Sequence, residues 1–140
     1  MRRPSERLAG VCWLARFVDK ARQILDGTLP KEYAERFCDR RGMDGAFLRR
    51  FGITKEGLMH AVRDSKNDDE LVAKWFLAQP GVTAQKIQEW NRDAPLFGKP
   101  GHPGHEVFQW AMKHVYADAP YTGVESVFEV IDADEARERT

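Results

Sequence analysis

Long hydrophobic runs, surplus charge and cysteine are all scarce in this chain of 140 residues, and each scarcity removes a class of protein. Nowhere do eighteen uncharged apolar residues follow one another, so no helical membrane span is expected. Arg7, Arg16, Asp19 and Lys20 interrupt the stretch behind Arg2 and Arg3. No signal peptide is expected there, and a cytoplasmic location is the default. The 22 basic and 22 acidic residues cancel, so no global field draws the protein to nucleic acid or to an anionic membrane. Cys12 and Cys38 are the only cysteines, without C-x-x-C spacing. Both sit among apolar neighbours and read as buried free thiols of a reducing compartment, with a disulfide between the first two helices left open. No phosphate-cradling glycine loop, nucleophile elbow or paired Cys/His set is present, and no cofactor is expected.

What remains is an ordinary globular composition, 42% hydrophobic and 31% charged, with four Trp and eight Phe. A length of 140 residues fits one domain and leaves little room for a second core. Charge is unevenly placed: residues 1–55 carry 13 Lys and Arg against 7 Asp and Glu, the remainder 9 against 15. Two halves of one helical core would attract each other with that division. A basic patch for an acidic partner is the other reading, without an aromatic-and-basic nucleic-acid motif to support it.

Apolar periodicity predicts helices almost throughout. Leu8, Val11, Cys12, Ala15, Val18, Ala21, Ile24 and Leu25 recur at three- and four-residue steps, giving about five turns from an N-cap at Ser5 to a C-terminal Gly27. Pro30 opens a second helix with Tyr33, Ala34, Phe37 and Cys38 on its inner face. Asp44 caps a third with Phe47, Leu48 and Phe51, and Thr54 a fourth with Leu58, Met59 and Val62. Asn67 or Asp68 starts the stripe of Leu71, Val72, Trp75 and Phe76, which Pro80-Gly81 breaks. Thr83 begins a helix holding Ile87 and Trp90, and residues 95–104 form a long Pro/Gly/His loop. A helix through Phe108, Ala111, Met112 and Val115 follows. Thr122 and Glu125 have capping-box spacing before Val124, Val127, Phe128 and Ile131, where a strand is the alternative. Residues 132–140 are expected to fray. The fold class is therefore all-α: a single compact orthogonal multi-helix domain of about seven helices over residues 1–140, with Trp75, Trp90 and Trp110 packed on helix one.

Several blocks of residues carry a likeness. Pro4-Ser5-Glu6-Arg7-Leu8-Ala9-Gly10, Trp13-Leu14-Ala15-Arg16, Asp19-Lys20-Ala21-Arg22 and Gly27-Thr28 stand in series. Glu32-Tyr33, Met43-Asp44, Phe47, Phe51-Gly52-Ile53 and the run Val127 to Asp134 follow in the same order. Together they resemble the uncharacterised bacterial family named domain of unknown function 5069, over nearly the whole chain. The stretch between Tyr33 and Asp44 is longer and more basic than that pattern, and the loop around His102 departs from it. The resemblance implies a bacterial, stand-alone helical domain, and it supplies no catalytic residues.

Three constellations could carry chemistry. The first is the polar set Trp13, Arg16, Asp19, Lys20 and Arg22 on helix one, with Tyr33 and Asp44 close by. Arg16 is one turn from Asp19, Lys20 and Trp13, so Asp19 would sit between cations while a guanidinium meets a carboxylate or phosphate. The competing reading is an ion network that fixes helix one against Tyr33 and the Asp44 turn. The second is His102-x-x-His105-Glu106, a set of metal-ligand types. His114 lies nine residues beyond His105, on the opposite side of a helix, and His60 stands alone. Solvated loop histidines are the competing reading. The third is the acidic run Glu129, Asp132, Asp134 and Glu135, which lacks the glycine and distal glutamate of a calcium loop and reads as a solvated helix end.

The leading functional expectation is a non-enzymatic binding or interaction module whose recognition face on helix one takes an anionic small molecule or an acidic protein segment. Self-association is kept open; a membrane is excluded as partner and nucleic acid is disfavoured. The rival is a small enzyme that anchors an anionic metabolite on Arg16 or Arg22 and moves protons with Asp19, Tyr33 or Asp44. A metal-binding loop at His102, His105 and Glu106 ranks third.

Overall fold

The computed structural model describes residues 1–117 and 121–138. The chain opens as a small antiparallel hairpin, β1 (Arg7–Leu8) and β2 (Val11–Cys12), with Arg7 opposite Cys12 and Leu8 opposite Val11. Eight α-helices follow among the described residues: α1 (Leu14–Asp26), α2 (Lys31–Arg36), α3 (Met43–Phe51), α4 (Lys55–Ser65), α5 (Asp69–Leu77), α6 (Ala84–Asp93), α7 (His105–His114) and α8 (Val127–Glu138). A 3-10 turn, Ala94–Leu96, extends α6. The fold is all-α apart from the hairpin, and no described helix is long and apolar enough to cross a membrane.

The hairpin replaces the expected first two turns of helix one, so Ser5 is not its cap. Ala9 and Gly10 both take positive φ, 57° and 76°, which is the turn geometry that closes a two-residue hairpin. Leu8, Val11 and Cys12 satisfy helical spacing in sequence, but Gly10 would weaken a helix interior. The hairpin instead anchors on α6: Trp90 Nε1 donates to the Cys12 carbonyl at 2.9 Å, and Asn91 joins the Cys12 amide and the Gly10 carbonyl, each at 2.9 Å. Helix α1 then ends at the expected place, where Gly27 takes φ 72° and donates to the Gln23 and Ile24 carbonyls.

Five aromatic rings from four helices make the centre of the core. Phe47 of α3 meets Phe17 of α1, Phe51, Phe76 of α5 and Trp90 of α6 at centroid distances of 4.8–5.8 Å. Thr54, Asp68 and Thr83 cap α4, α5 and α6 through side-chain oxygens, as their residue types predict.

Elsewhere boundaries move. Helix α2 stops at Arg36 and buries no residue fully, with Tyr33 partly covered; Phe37 enters the core from an extended turn and Cys38 takes φ 61°. Asp44 is the second residue of α3 rather than its cap, since Gly42 precedes Met43. Leu25 and Leu71, expected inside, are 44% and 49% exposed. Trp110 does not pack on α1: it is 57% exposed and lies against His114, because α7 turns only Phe108 inward. The last segment is helical, not a strand. Ser126 and Glu129 provide its start in place of Thr122 and Glu125: Ser126 Oγ accepts from the Glu129 amide, and the Glu129 side chain accepts from the Glu125 amide. Residues 132–138 continue α8 instead of fraying; residues 139 and 140 lie outside the described residues.

Candidate functional site

Helix α1 displays its polar residues along one face, and the fold divides them into three groups. Asp44 is the centre of the first. It is 3% exposed and accepts from Trp13 Nε1 at 2.9 Å, Lys20 Nζ at 2.5 Å and the Cys38 amide at 3.0 Å. The Lys20 ammonium also lies over the rings of Trp13, Phe17 and Phe37, 4.9–5.9 Å from their centroids. Burial pushes the Lys20 amine below its usual range, against the opposing pull of Asp44. Two of the donor residues, Trp13 (φ 75°) and Cys38 (φ 61°), hold left-handed backbone that non-glycine residues avoid. The carboxylate therefore fixes two strained turns at once.

Arg16 is the centre of the second group. It is 2% exposed, and its Nη1 reaches both carboxylate oxygens of Glu135 from α8 at 2.8 Å, and the Arg2 carbonyl at 3.3 Å. Trp13 and Tyr33 stand beside the guanidinium at 5.8 and 6.0 Å. Its Nε is buried with no hydrogen-bond partner among the described residues. Around this point the tyrosines gather. Tyr121 donates to Asp134 at 2.5 Å, and its ring meets that of Tyr116 at 6.0 Å. Burial raises the Tyr33 phenol, with the Glu135 charge adding to it, and burial likewise raises Tyr116. Helix α8 is held by further contacts: Phe128 stacks on Trp13 at 5.8 Å, and Arg3 pairs with Asp132 through two 3.0 Å bonds.

The third group lies further round α1. Asp19 does not sit between Arg16 and Lys20 but is bound by Arg2, through its side chain and its amide. Arg2 and Arg22 both bond Asp69, at 2.6 and 2.7 Å, and Arg22 leaves Nε and Nη2 buried without partners among the described residues. Burial opposes ionisation of Asp69, yet the hydrogen bonds from Arg2 and Arg22 hold it below the usual carboxylate range.

Trp13, Arg16, Lys20, Tyr33 and Asp44 thus converge, while Asp19 and Arg22 belong to a separate junction with α5. Sequence reasoning missed Arg2, Asp69, Phe37, Tyr116 and Tyr121. The only available signal was the charge division, since Arg2, Arg3, Arg16 and Arg22 each pair with acids of the second half. The acidic run is also corrected. Asp132, Asp134 and Glu135 are engaged by Arg3, Tyr121 and Arg16, so α8 is a docked helix and not a solvated end.

The remaining candidates stay apart. His105 opens α7 and its Nδ1 meets the Gly98 carbonyl at 2.9 Å; His102 lies in the preceding turns. No group of three or more His, Cys, Asp and Glu among the described residues is placed to hold a metal ion. Both cysteines are free, and burial pushes the Cys12 thiol up to about 11 and Cys38 up to about 12, which makes both poor nucleophiles. Open concavities occur elsewhere: a cleft of about 480 Å³ beside α7, lined in part by His105, Phe108 and Met112, and one of about 630 Å³ at the turn before α3.

No curated protein and no solved structure matches this chain. A family model does, over residues 1–137, and its description is Domain of unknown function (DUF5069). With all but three residues of the sequence inside that match, the chain belongs to this family.

Proposed function

We propose that the protein is a binding module whose recognition face is the surface formed by Trp13 and Arg16 of the α1 segment with Tyr33 of α2, that its partner is an acidic helical segment, and that α8 occupies the face in the resting chain. One observation carries this reading. Arg16, almost wholly buried, meets both Glu135 oxygens through a single nitrogen and leaves Nε unpartnered among the described residues. A guanidinium fork matched to its carboxylate engages two nitrogens in parallel. Glu135 is therefore an incomplete occupant of a site able to hold a carboxylate more fully. Trp13 and Tyr33 flank the guanidinium, and burial this deep strengthens a charged hydrogen bond.

The enzyme alternative draws less from the geometry. Asp44 is closed under Trp13 and Lys20, and Asp19 faces Arg2, so neither shares an open point with Tyr33.

The test is titration of a labelled peptide of residues 127–138 into the full-length chain at low salt, read by fluorescence anisotropy. Glu135→Ala should bind it at least about tenfold more tightly than the unaltered protein, and adding Arg16→Lys should abolish the gain, because lysine lacks the planar fork. A folded Glu135→Ala protein that shows no saturable binding sinks the reading.

A further inference from the structure

A second concavity on the molecule has the chemistry of an anion site and shares no lining residue with the α1 face. It is the cleft of about 630 Å³ lined by Asp39, Arg40, Arg41 and Arg49, where the chain turns from α2 into α3. Three arginines and one aspartate make up its lining. Arg41 is the partner of that carboxylate, through its amide at 2.8 Å and two long side-chain contacts of 3.4 Å. Arg49 donates to the Arg40 carbonyl at 2.7 Å, which orients its fork without neutralising it. The Arg40 side chain has neither an ion pair nor a hydrogen bond among the described residues. The cleft therefore carries an uncompensated charge of two.

The turn that displays these arginines is rigid. The Asp39 carbonyl accepts from both the Gly42 and Gly45 amides, at 3.1 and 3.2 Å. Gly45 lies so close beneath that a Cβ would come within 2.4 Å of the Asp39 carbonyl oxygen and 2.6 Å of Arg40 Cα. Only glycine lets the turn seat on α3. The helix also points its N-terminus at this turn, with no side chain capping it, so its dipole adds to the positive field.

We propose that this cleft binds the oligophosphate group of a small phosphorylated molecule. Three arginines among four lining residues match the many acceptor oxygens and multiple charge of an oligophosphate better than the two oxygens of one carboxylate. The cleft has no aromatic residue on which a base would stack, and four lining residues do not make the phosphate track that nucleic acid requires. Recognition is thus confined to the phosphates.

Calorimetric titration of the full-length protein with inorganic pyrophosphate at low salt tests this. One saturable site is expected, weakened at least about tenfold by Arg40→Ala and by Arg49→Ala, with the thermal midpoint of Arg40→Ala unchanged because that side chain has no partner to lose. Arg49→Lys should recover only part of the affinity. The proposal is overturned if pyrophosphate gives no saturable heat at millimolar concentration, or if a folded protein carrying both Arg40→Ala and Arg49→Ala binds it as well as the unaltered protein. Equal affinity for citrate, or tighter binding of a single-stranded oligonucleotide, would equally overturn it.

Discussion

The two ends of one helical face behave differently, although both are buried cations paired with acids. At the Lys20 end, Asp44 receives three donors, two from α1 and its cap and one from the turn after α2, and three aromatic rings surround the ammonium. At the Arg16 end, α8 supplies the carboxylate, and a buried nitrogen has no partner among the described residues. The first network is saturated and belongs to the architecture. The second takes its carboxylate from α8, the last element described. Two ion pairs buried to a similar degree thus differ in hydrogen-bond completeness.

The comparison breaks most decisively at Asp44. Asp44→Ala orphans Lys20, the Trp13 indole and the Cys38 amide together, and breaking a buried pair costs about 3–5 kcal/mol. Chemical denaturation should show that loss, and the double variant Asp44→Asn with Lys20→Met should be less damaged than Asp44→Ala. Equal stability of Asp44→Ala and the unaltered protein would mean that the two ends are not different in kind.

A smaller effect sharpens the other side. Glu135→Ala should destabilise by less than Asp44→Ala, about 1–3 kcal/mol, because Arg16 keeps the Arg2 carbonyl as a partner and water can reach the place of the 14% exposed Glu135 side chain. Hydrogen exchange should locate the change: amides of α8 open faster while those of α3 and α5 keep their protection. Uniform acceleration throughout would place Glu135 in the core network and remove the distinction.

The smallest effect is at the Arg2–Asp69–Arg22 junction, which is more exposed than either end. The folded Asp69 carboxyl sits below its unfolded value of about 4, so its contribution is fully present above that pH. It is lost as pH falls through the lower, folded value. Asp69→Asn should lower stability at neutral pH by less than about 1 kcal/mol and flatten the acid limb of the stability profile. An unchanged acid limb would show that the junction carries no linkage.

Some of this was legible from residue order. Thr54, Asp68 and Thr83 cap their helices because a short oxygen-bearing side chain satisfies amides a few residues away, whatever the rest of the chain does. Gly27 ends α1 for a similarly local reason. The hairpin was hidden because residues 8, 11 and 12 face one side in a helix and also meet across a tight turn. At the candidate site the residue types were readable, with five of the seven named positions converging. Their partners were not: Asp19 chose Arg2 over its helical neighbours, and Glu135 lies 119 residues from Arg16.

The sequence by itself determined the helical class, the caps of α4, α5 and α6, the end of α1 and the division of charge between the two halves, since these depend on local sterics, short-range hydrogen bonds and composition. Tertiary structure alone decided which cation meets which acid, that α8 docks instead of fraying, and that three arginines share one cleft. Those outcomes rest on packing between distant segments, where burial turns a weak solvated charge pair into a strong directional one.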